Sequence, residues 1–174
     1  YAGDVYENIA AKVIKNKTYL FDGNGHMLTG VLKLEGDAYR SGGSDLEDGG
    51  IYYFSEEDGS ENGQMLTGKQ TYDNEGEDET YYFKKNGQAY TNALVSGAIY
   101  DSEGKRVDAE DGAAYMLYTT EADITDDDGT TVLIPEGTQA IVNRSGSVKK
   151  NGSAEVDGVD YDIDNYVATE DIDE

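Results

Sequence analysis

The sequence contains no cysteine, no tryptophan, one proline and one histidine. Without cysteine there are no disulfides, no thiolate nucleophiles and no cysteine-ligated zinc sites. No stretch approaches the roughly 18 consecutive apolar residues that a membrane-spanning helix requires. We therefore expect no membrane span in this segment. The chain starts at Tyr1 without a charged and apolar leader, and we expect it to be a processed or truncated piece of a longer protein.

Basic side chains are scarce. There are 13 Lys and Arg residues against 37 Asp and Glu residues, which gives a net charge of −24. Such a surface repels phosphate backbones and anionic lipid headgroups, so nucleic acid is not an expected partner. It tolerates neutral glycans, cationic groups and divalent metal ions. The alternative is that the charge only keeps a secreted protein soluble.

The residues that are abundant are glycine, with 22 copies, and tyrosine, with 15. The aromatic residues fall in short clusters separated by Gly, Asn and Asp. This spacing suits a thin structure whose core is a file of side chains. The hydrophobic share of 37% and the high charge also suit a disordered chain. Recurrent aromatic triplets argue against disorder.

The chain contains internal repeats, which join an aromatic triplet to a glycine-containing return segment. Two copies match closely, a third has the same four-residue interval between triplet and glycine as the first, and two more are degenerate. An acidic insertion around Glu56 lengthens the second copy. The copies are Tyr19–Phe21 with Gly25–Gly30, Tyr52–Phe54 with Gly63–Gly68, Tyr81–Thr91, Ile99–Gly104 and Ala140–Val148.

One copy predicts a β-hairpin. Tyr-Tyr-Phe favours a strand whose alternate side chains face opposite sides, and Asp22-Gly23 or Asn86-Gly87 then reverses the chain. The return strand places Met27 or Met65 inward. A single hairpin is marginal in water, so successive hairpins must stack to bury their aromatic faces. The prediction is an all-β, β-solenoid-like stack of β-hairpin repeats with inserted loops and a further C-terminal hairpin.

Four regions follow from this pattern: a lead-in, a repeat region, an inserted hairpin, and a degenerate last repeat with a C-terminal strand and an acidic tail. Hydrophilic inserts at Ser41–Gly50, Asp73–Glu79 and Asp108–Gly112 predict surface loops. The inserted hairpin joins Tyr115–Thr120 to Thr130–Ile134, and Pro135 ends it. Val159–Tyr166 predicts one more strand, and the best helical candidate spans Glu7 to Lys15. The region boundaries are 1–16, 17–112, 113–139 and 140–174.

The repeats resemble the cell-wall-binding repeat superfamily, which includes choline-binding repeats, glucan-binding repeats of streptococcal glucosyltransferases and the repetitive oligopeptides of large clostridial toxins. The family pattern reads Gly-Trp-x4-Gly-x2-Tyr-Tyr-Phe-x3-Gly-x-Met-x-Thr-Gly, and Gly30–Tyr39 matches its inter-hairpin linker. The resemblance covers roughly residues 17–108 and 140–162. It implies a hairpin solenoid on a secreted or surface bacterial protein that binds wall polymers or glycans without covalent attachment.

One departure from the family is the missing tryptophan. The position after the Thr-Gly pair is normally Trp, whereas this chain has Val31, Lys69 or Ala93 in the corresponding places. In choline-binding members that Trp helps to form an aromatic cage around a quaternary ammonium group. A choline site of the usual composition therefore cannot form here.

The candidate ligand-binding residues are tyrosines, because their rings stack on pyranose faces and their hydroxyls bond sugar hydroxyls. We expect core positions, and no ligand contact, for Phe21, Phe54 and Phe83. The middle ring of each triplet faces the opposite side of the strand. The tyrosine candidates are Tyr39, Tyr53, Tyr72, Tyr82 and Tyr100.

Two acidic turns carry hard oxygen donors. Asp22–Gly25 and Asp126–Gly129 suit calcium chemically, with Asp126 and Asp128 as weak metal candidates, but neither fits an EF-hand loop. Asp-Gly and Asn-Gly pairs are also explained by turn chemistry alone. We therefore expect no cofactor, with calcium as the alternative.

No catalytic constellation is evident. His26 is the sole histidine and is expected in solvent after the hairpin turn, and no phosphate loop or dinucleotide fingerprint is present. Three functions follow in order of preference. They are a non-enzymatic module that binds a bacterial cell-wall polymer or glycan, a structural spacer or protein-interaction module, and a calcium-dependent adhesion module. The expected location is extracellular or at the cell surface.

Overall fold

The computed structural model describes residues 9–41 and 45–172, and in these ranges every regular element is a β-strand. These ranges contain no helix that could cross a bilayer. The predicted all-β fold is confirmed. The strands are β1 (Ala10–Ile14), β2 (Lys17–Phe21), β3 (Met27–Leu28), β4 (Gly30–Lys33), β5 (Tyr39–Ser41), β6 (Ile51–Phe54), β7 (Gly68–Asn74), β8 (Glu77–Phe83), β9 (Ala93–Val95), β10 (Ala98–Tyr100), β11 (Tyr115–Thr119), β12 (Ile124–Thr125), β13 (Val132–Ile134), β14 (Gln139–Asn143), β15 (Gly152–Val156), β16 (Val159–Asp164) and β17 (Val167–Glu170).

The chain divides into two compact units, with the boundary between Ala89 and Tyr90. The described part of the first unit contains the antiparallel hairpins β1–β2, β4–β6 and β7–β8. That of the second contains β9–β10, β11–β14 and β15–β16, and β17 adds a third strand to the last of these. In each unit the middle hairpin carries an insertion between its two strands.

Each insertion adds a parallel strand to the first hairpin of its own unit. In the first unit β5 pairs with β1, and Tyr39 lies opposite Ala10. In the second unit β12 pairs with β9, and Thr125 lies opposite Ala93. Within their hairpins, Ala10 pairs with the aromatic Phe21 and Ala93 with the aromatic Tyr100, so the insertions occupy equivalent edges. The two units therefore follow one architectural plan.

The main partner of each aromatic strand precedes it in sequence. The segment predicted as an inter-hairpin linker begins with β4, which pairs along its whole length with β6. The predicted return strand is only the two-residue β3 in the first copy and a single bridge in later ones, such as Phe54 with Met65 and Phe83 with Ala89. The sequence prediction reversed the two roles, because the glycine-rich return segment is the more regular motif.

Pairing in the second unit also differs from the prediction. Strand β11 pairs with β14 rather than with Thr130–Ile134, and β13 pairs with the short β12. The reason is that β11 and β14 complete a repeat hairpin, which leaves β12–β13 as the insertion. The strand predicted over Val159–Tyr166 is confirmed as β16.

The helical candidate at Glu7–Lys15 is wrong where the structure describes it. Residues 10–14 form β1, while residues 7 and 8 lie outside the described residues. Lys15 and Asn16 have φ values of 51° and 65°, which is the geometry of a tight hairpin turn between β1 and β2. Pairing with β2 therefore overrides the local helical preference.

The structure agrees with some of the predicted surface loops and not with others. Asp73–Glu79 is not a loop, because β7 and β8 continue to a two-residue turn at Glu75 and Gly76. In Ser41–Gly50, residues 42–44 lie outside the described residues, and Leu46 is buried and bridges Ala38. Asp108–Gly112 contains no strand, as expected.

A repeated hydrogen bond links successive copies. The Met65 N–H donates to the Thr18 carbonyl at 2.8 Å, and the Ala89 N–H donates to the Ile51 carbonyl at 2.8 Å. In the second unit the Val148 N–H donates to the Gly97 carbonyl at 2.9 Å. Each bond joins the return segment of one copy to the residue immediately before Tyr19–Phe21, Tyr52–Phe54 or Ala98–Tyr100 of the copy before it. Stacking therefore has a fixed register within each unit.

Buried side chains also connect each copy with the next. The middle residue of one triplet shares a core with the last residue of the next, as Leu20 does with Phe54 and Tyr53 with Phe83. Phe54 and Phe83 are buried, as predicted. Phe21 is only half-buried, because no described hairpin precedes it to cover that face.

The two methionines differ in burial. Met65 is half-buried and packs against the core that contains Leu20 and Phe54, as predicted, whereas Met27 is 39% exposed. Each also covers the turn glycine of the following copy. A Cβ at Gly63 would meet the Met27 sulfur, and one at Gly87 would meet the Met65 sulfur.

Candidate functional site

The strongest candidate site in the first unit is a cluster of half-buried rings beside a carboxylate. The centroids of Tyr53 and Tyr72 lie 5.4 Å apart with an interplanar angle of 67°, an edge-to-face contact. Phe83 lies 6.0 Å from Tyr53 on the buried side. The Tyr72 hydroxyl donates to Glu56 Oε1 over 3.5 Å. We call Tyr53, Tyr72 and Glu56 the tyrosine site.

Three local features build the tyrosine site. Tyr53 is the middle residue of its triplet in β6, and Tyr72 lies on β7 of the next hairpin, so hairpin stacking brings the rings together. Glu56 lies two residues after the end of β6. Gly30 has a φ of +92°, and a Cβ there would lie 2.9 Å from Glu56 Oε1 and 3.3 Å from the Tyr72 hydroxyl. Glycine at this position keeps open the space in which the two polar groups meet.

Both phenols are held in the protonated form. Burial raises the pKa of Tyr53 above its ordinary value of 10.0, and the charge of Glu56 raises it further. The pKa of Tyr72 is raised for the same two reasons, in the same order. Each hydroxyl is therefore a hydrogen-bond donor throughout the neutral range, next to a carboxylate that accepts.

The structure does not gather the other predicted tyrosines at this site. Tyr39 is 67% exposed on the inserted strand β5, and Tyr82 is half-buried on β8. Tyr100 is 1% exposed, so its ring offers no face to a ligand and belongs to the packing of the second unit. Two of the five candidates, Tyr53 and Tyr72, are in ring contact with each other.

The positions that hold tryptophan in the resembling family do not form a cage here. Val31 is fully buried and packs with Tyr81 and Phe83. Ala93 is also buried, whereas Lys69 is exposed on β7. An aromatic enclosure built on these positions is therefore absent from the described residues.

The acidic turns use their carboxylates to close the backbone. Asp22 Oδ1 accepts the N–H groups of Asn24 and His26 at 2.9 Å each. Asp126 Oδ1 accepts from Thr130 at 3.0 Å and from Thr131 at 3.4 Å. These bonds lower the pKa of both carboxyl groups.

The same cap recurs at Asp101, whose Oδ1 accepts from Glu103 and Lys105. Burial nevertheless raises its pKa. Asp128 is exposed, and no group of three or more metal-ligating side chains occurs in the described ranges. His26 is exposed and its Nδ1 lies 3.5 Å from Asp22 Oδ2.

Two residues were not predicted from the sequence: Glu56, which belongs to the tyrosine site, and Gly30, which lies beside it. Glu56 was visible as part of an acidic insertion, but only the fold shows that its carboxylate meets Tyr72. Gly30 was visible as a repeat glycine. Its role depends on a contact between two neighbouring hairpins, which a local motif does not reveal.

No protein-family model matches the chain, and no curated protein matches it in sequence. Solved structures do match. Choline binding protein F from Streptococcus pneumoniae, determined with a peptidoglycan analogue (tetrasaccharide-pentapeptide), is 22% identical with a TM-score of 0.54. The match covers 92% of this chain and 40% of that one.

A structure of CbpF in complex with ipratropium is 20% identical with a TM-score of 0.52, over 92% of this chain and 42% of that one. CbpJ from Streptococcus pneumoniae is 20% identical with a TM-score of 0.48, over 91% and 41%. This chain thus spans less than half the length of these structures. The predicted relationship is confirmed at the level of fold: the chain has the β-hairpin repeat fold of choline-binding proteins.

Proposed function

We propose that this chain is a non-catalytic module that binds a bacterial cell-wall polymer or glycan, on a secreted or surface protein. The observation that carries the proposal is the tyrosine site, in which two half-buried rings and a carboxylate meet at the junction of two hairpins. The likeness of fold to choline binding protein F supports it, since that protein was solved with a tetrasaccharide-pentapeptide.

The chemistry of the tyrosine site suits a sugar. The C–H face of a pyranose packs against the exposed part of the Tyr53 or Tyr72 ring. The Tyr72 hydroxyl and the Glu56 carboxylate then provide one donor and one strong acceptor for the sugar hydroxyls. The 3.5 Å separation between these two polar groups is long for a hydrogen bond. A sugar hydroxyl that bridges them would make two shorter bonds.

The test is equilibrium binding to a neutral N-acetylglucosamine tetrasaccharide and to purified cell wall. We expect Tyr53→Ala and Tyr72→Ala to abolish binding, and Glu56→Gln to weaken it about tenfold, since bonds to a charged group contribute about 1.5–3 kcal/mol. Tyr19→Ala is the matched control, because Tyr19 is also half-buried but lies outside the site. Equal binding by Tyr72→Ala and Tyr19→Ala would contradict the proposal.

A second candidate is a structural spacer or protein-interaction module that keeps the fold without a ligand. The burial of Val31 at a family tryptophan position favours it, because that change removes an aromatic wall and adds core packing. The same titration separates the two functions. If the chain is a spacer, it binds neither the tetrasaccharide nor the wall preparation. Tyr72→Phe and wild type then give the same result in the binding titration.

A further inference from the structure

A cleft in the second unit has a different chemistry from the tyrosine site. Its volume is about 530 Å³, and its lining includes Asp111, Tyr115, Asn143, Arg144 and Ser145. The cleft is shallow and open to solvent. Tyr115 lies on β11 directly opposite Asn143 on β14. We call this region the Tyr115 cleft.

Positive charge concentrates beside the Tyr115 cleft. Of the 13 basic residues in the sequence, three lie between positions 144 and 150, namely Arg144, Lys149 and Lys150. Residues 143–154 contain no Asp or Glu. Within the described ranges, no carboxylate forms an ion pair with any of the three. In a chain of net charge −24, this segment is a local concentration of positive charge.

Tyrosine rings hold two of these cations in place. Lys149 Nζ lies 5.2 Å from the centroid of Tyr115, and Lys150 Nζ lies 5.8 Å from that of Tyr166. Such contacts are attractive within about 6 Å. The Lys149 N–H donates to Ile141 at 2.9 Å, which fixes the backbone beneath it. Lys149 is therefore positioned beside the cleft rather than free in solvent.

Arg144 is exposed on a turn that hydrogen bonds close. The Asn143 side-chain oxygen accepts the N–H groups of Ser145 at 3.0 Å and Ser147 at 2.9 Å, so it closes the turn that carries Arg144. An arginine on a fixed backbone is suited to bidentate bonding of a carboxylate or phosphate. Asp111 is the one carboxylate of the cleft lining. It opposes an anion but accepts hydrogen bonds from sugar hydroxyls.

We propose that the Tyr115 cleft is a second glycan subsite, which binds an anionic group of the wall polymer through Arg144 and Lys149. This inference rests on the proposed function, because it assigns a charge to the glycan. The anionic group is a carboxylate or a phosphate. Tyr115 provides a ring for the neighbouring sugar, and Asp111 bonds its hydroxyls.

The test is calorimetric titration of the whole chain with oligogalacturonate, with an oligomeric glycerol phosphate and with the neutral N-acetylglucosamine tetrasaccharide. We expect at least one anionic probe to bind, and its affinity to fall as salt is raised. Arg144→Gln should weaken that binding about tenfold, and Lys149→Gln should weaken it in the same direction. Asp111→Asn should strengthen it, because the substitution removes the opposing charge. Binding of oligogalacturonate alone assigns a carboxylate, and binding of the glycerol phosphate alone assigns a phosphate.

Lys85→Gln is the matched control, since it removes the same charge from an exposed turn of the first unit. Absence of anionic binding, or equal affinities of Arg144→Gln and Lys85→Gln, would overturn the inference. The proposed function is tested separately by the neutral probe with Tyr72→Ala. If that variant loses the neutral probe while Arg144→Gln leaves anionic binding unchanged, the proposed function stands and this inference fails.

Discussion

The side chain of Met65 covers Gly87, at the place where a Cβ on the glycine would overlap with the methionine sulfur. Met27 covers Gly63 in the same way one copy earlier. In the second unit Arg106 covers Gly146, and its Nε donates to Asp108 Oδ1 at 2.6 Å. The methionine and arginine side chains thus make equivalent contacts, in which each copy packs against the turn glycine of the next.

Gly87→Ala should destabilise the first unit more than Gly76→Ala does. Both glycines have φ values above +90°, so both variants incur about 1–2 kcal/mol from the left-handed conformation. Only Gly87 is covered, because a Cβ at Gly76 would have nothing within 4 Å. We expect an additional loss of about 0.5–1.5 kcal/mol, because the flexible Met65 side chain must turn away from its preferred rotamer.

Urea unfolding measures this difference. Adding Met65→Ala to Gly87→Ala should recover part of the additional loss, since the overlapping side chain is then gone. Equal destabilisation at Gly76 and Gly87 would show that the methionine contact is not a packing constraint.

Phe83→Ala should destabilise the fold by about 3–5 kcal/mol, because the ring is buried against Tyr53 and Tyr81. Phe21→Ala should lose less, about 1–2 kcal/mol, because Phe21 is half-buried. Denaturant midpoints of the two variants compare these losses. A larger loss in Phe21→Ala than in Phe83→Ala would contradict the stacking order, in which the Phe83 face is covered by the preceding hairpin and the Phe21 face is not.

Two turn aspartates should have opposite effects on acid stability. Backbone N–H bonds, chiefly from Thr130, lower the pKa of Asp126, so its stabilising effect is present above the ordinary value of 3.8 and is lost as pH falls through the lowered pKa. Burial raises the pKa of Asp101, so its charged form is disfavoured and stability falls as pH rises through the raised pKa.

Asp→Asn variants test these signs, because an amide oxygen can keep the cap without titrating. From pH 3 to pH 7, wild type should gain stability relative to Asp126→Asn and lose it relative to Asp101→Asn. Chemical unfolding at several pH values measures both trends. Parallel profiles for the two variants would contradict the assignment of the pKa shifts.

Calcium should not stabilise the protein. The oxygens of Asp126 already accept bonds from Thr130 and Thr131, and ligand binding to the native state must raise the melting temperature. We therefore expect the same melting temperature in millimolar calcium and in chelator. A higher melting temperature in calcium than in chelator, lost in Asp126→Asn, would support the calcium-dependent adhesion hypothesis.

The sequence was sufficient to predict the repeat, its strands and the burial of Phe54 and Phe83, because aromatic alternation and turn glycines are local signals. It was not sufficient to predict strand partners. The partner of β6 is β4, and an insertion separates them in sequence, so no local turn signal joins them. Likewise Tyr53 and Tyr72 lie on different hairpins, and their contact exists only after those hairpins stack.

NMR chemical-shift mapping during a titration with the N-acetylglucosamine tetrasaccharide tests the proposed glycan site most directly. We predict saturable shifts centred on Tyr53, Tyr72, Glu56 and Gly30, and their loss in Tyr72→Ala. A spectrum unchanged at saturating tetrasaccharide, or shifts that avoid these four residues, would contradict the account.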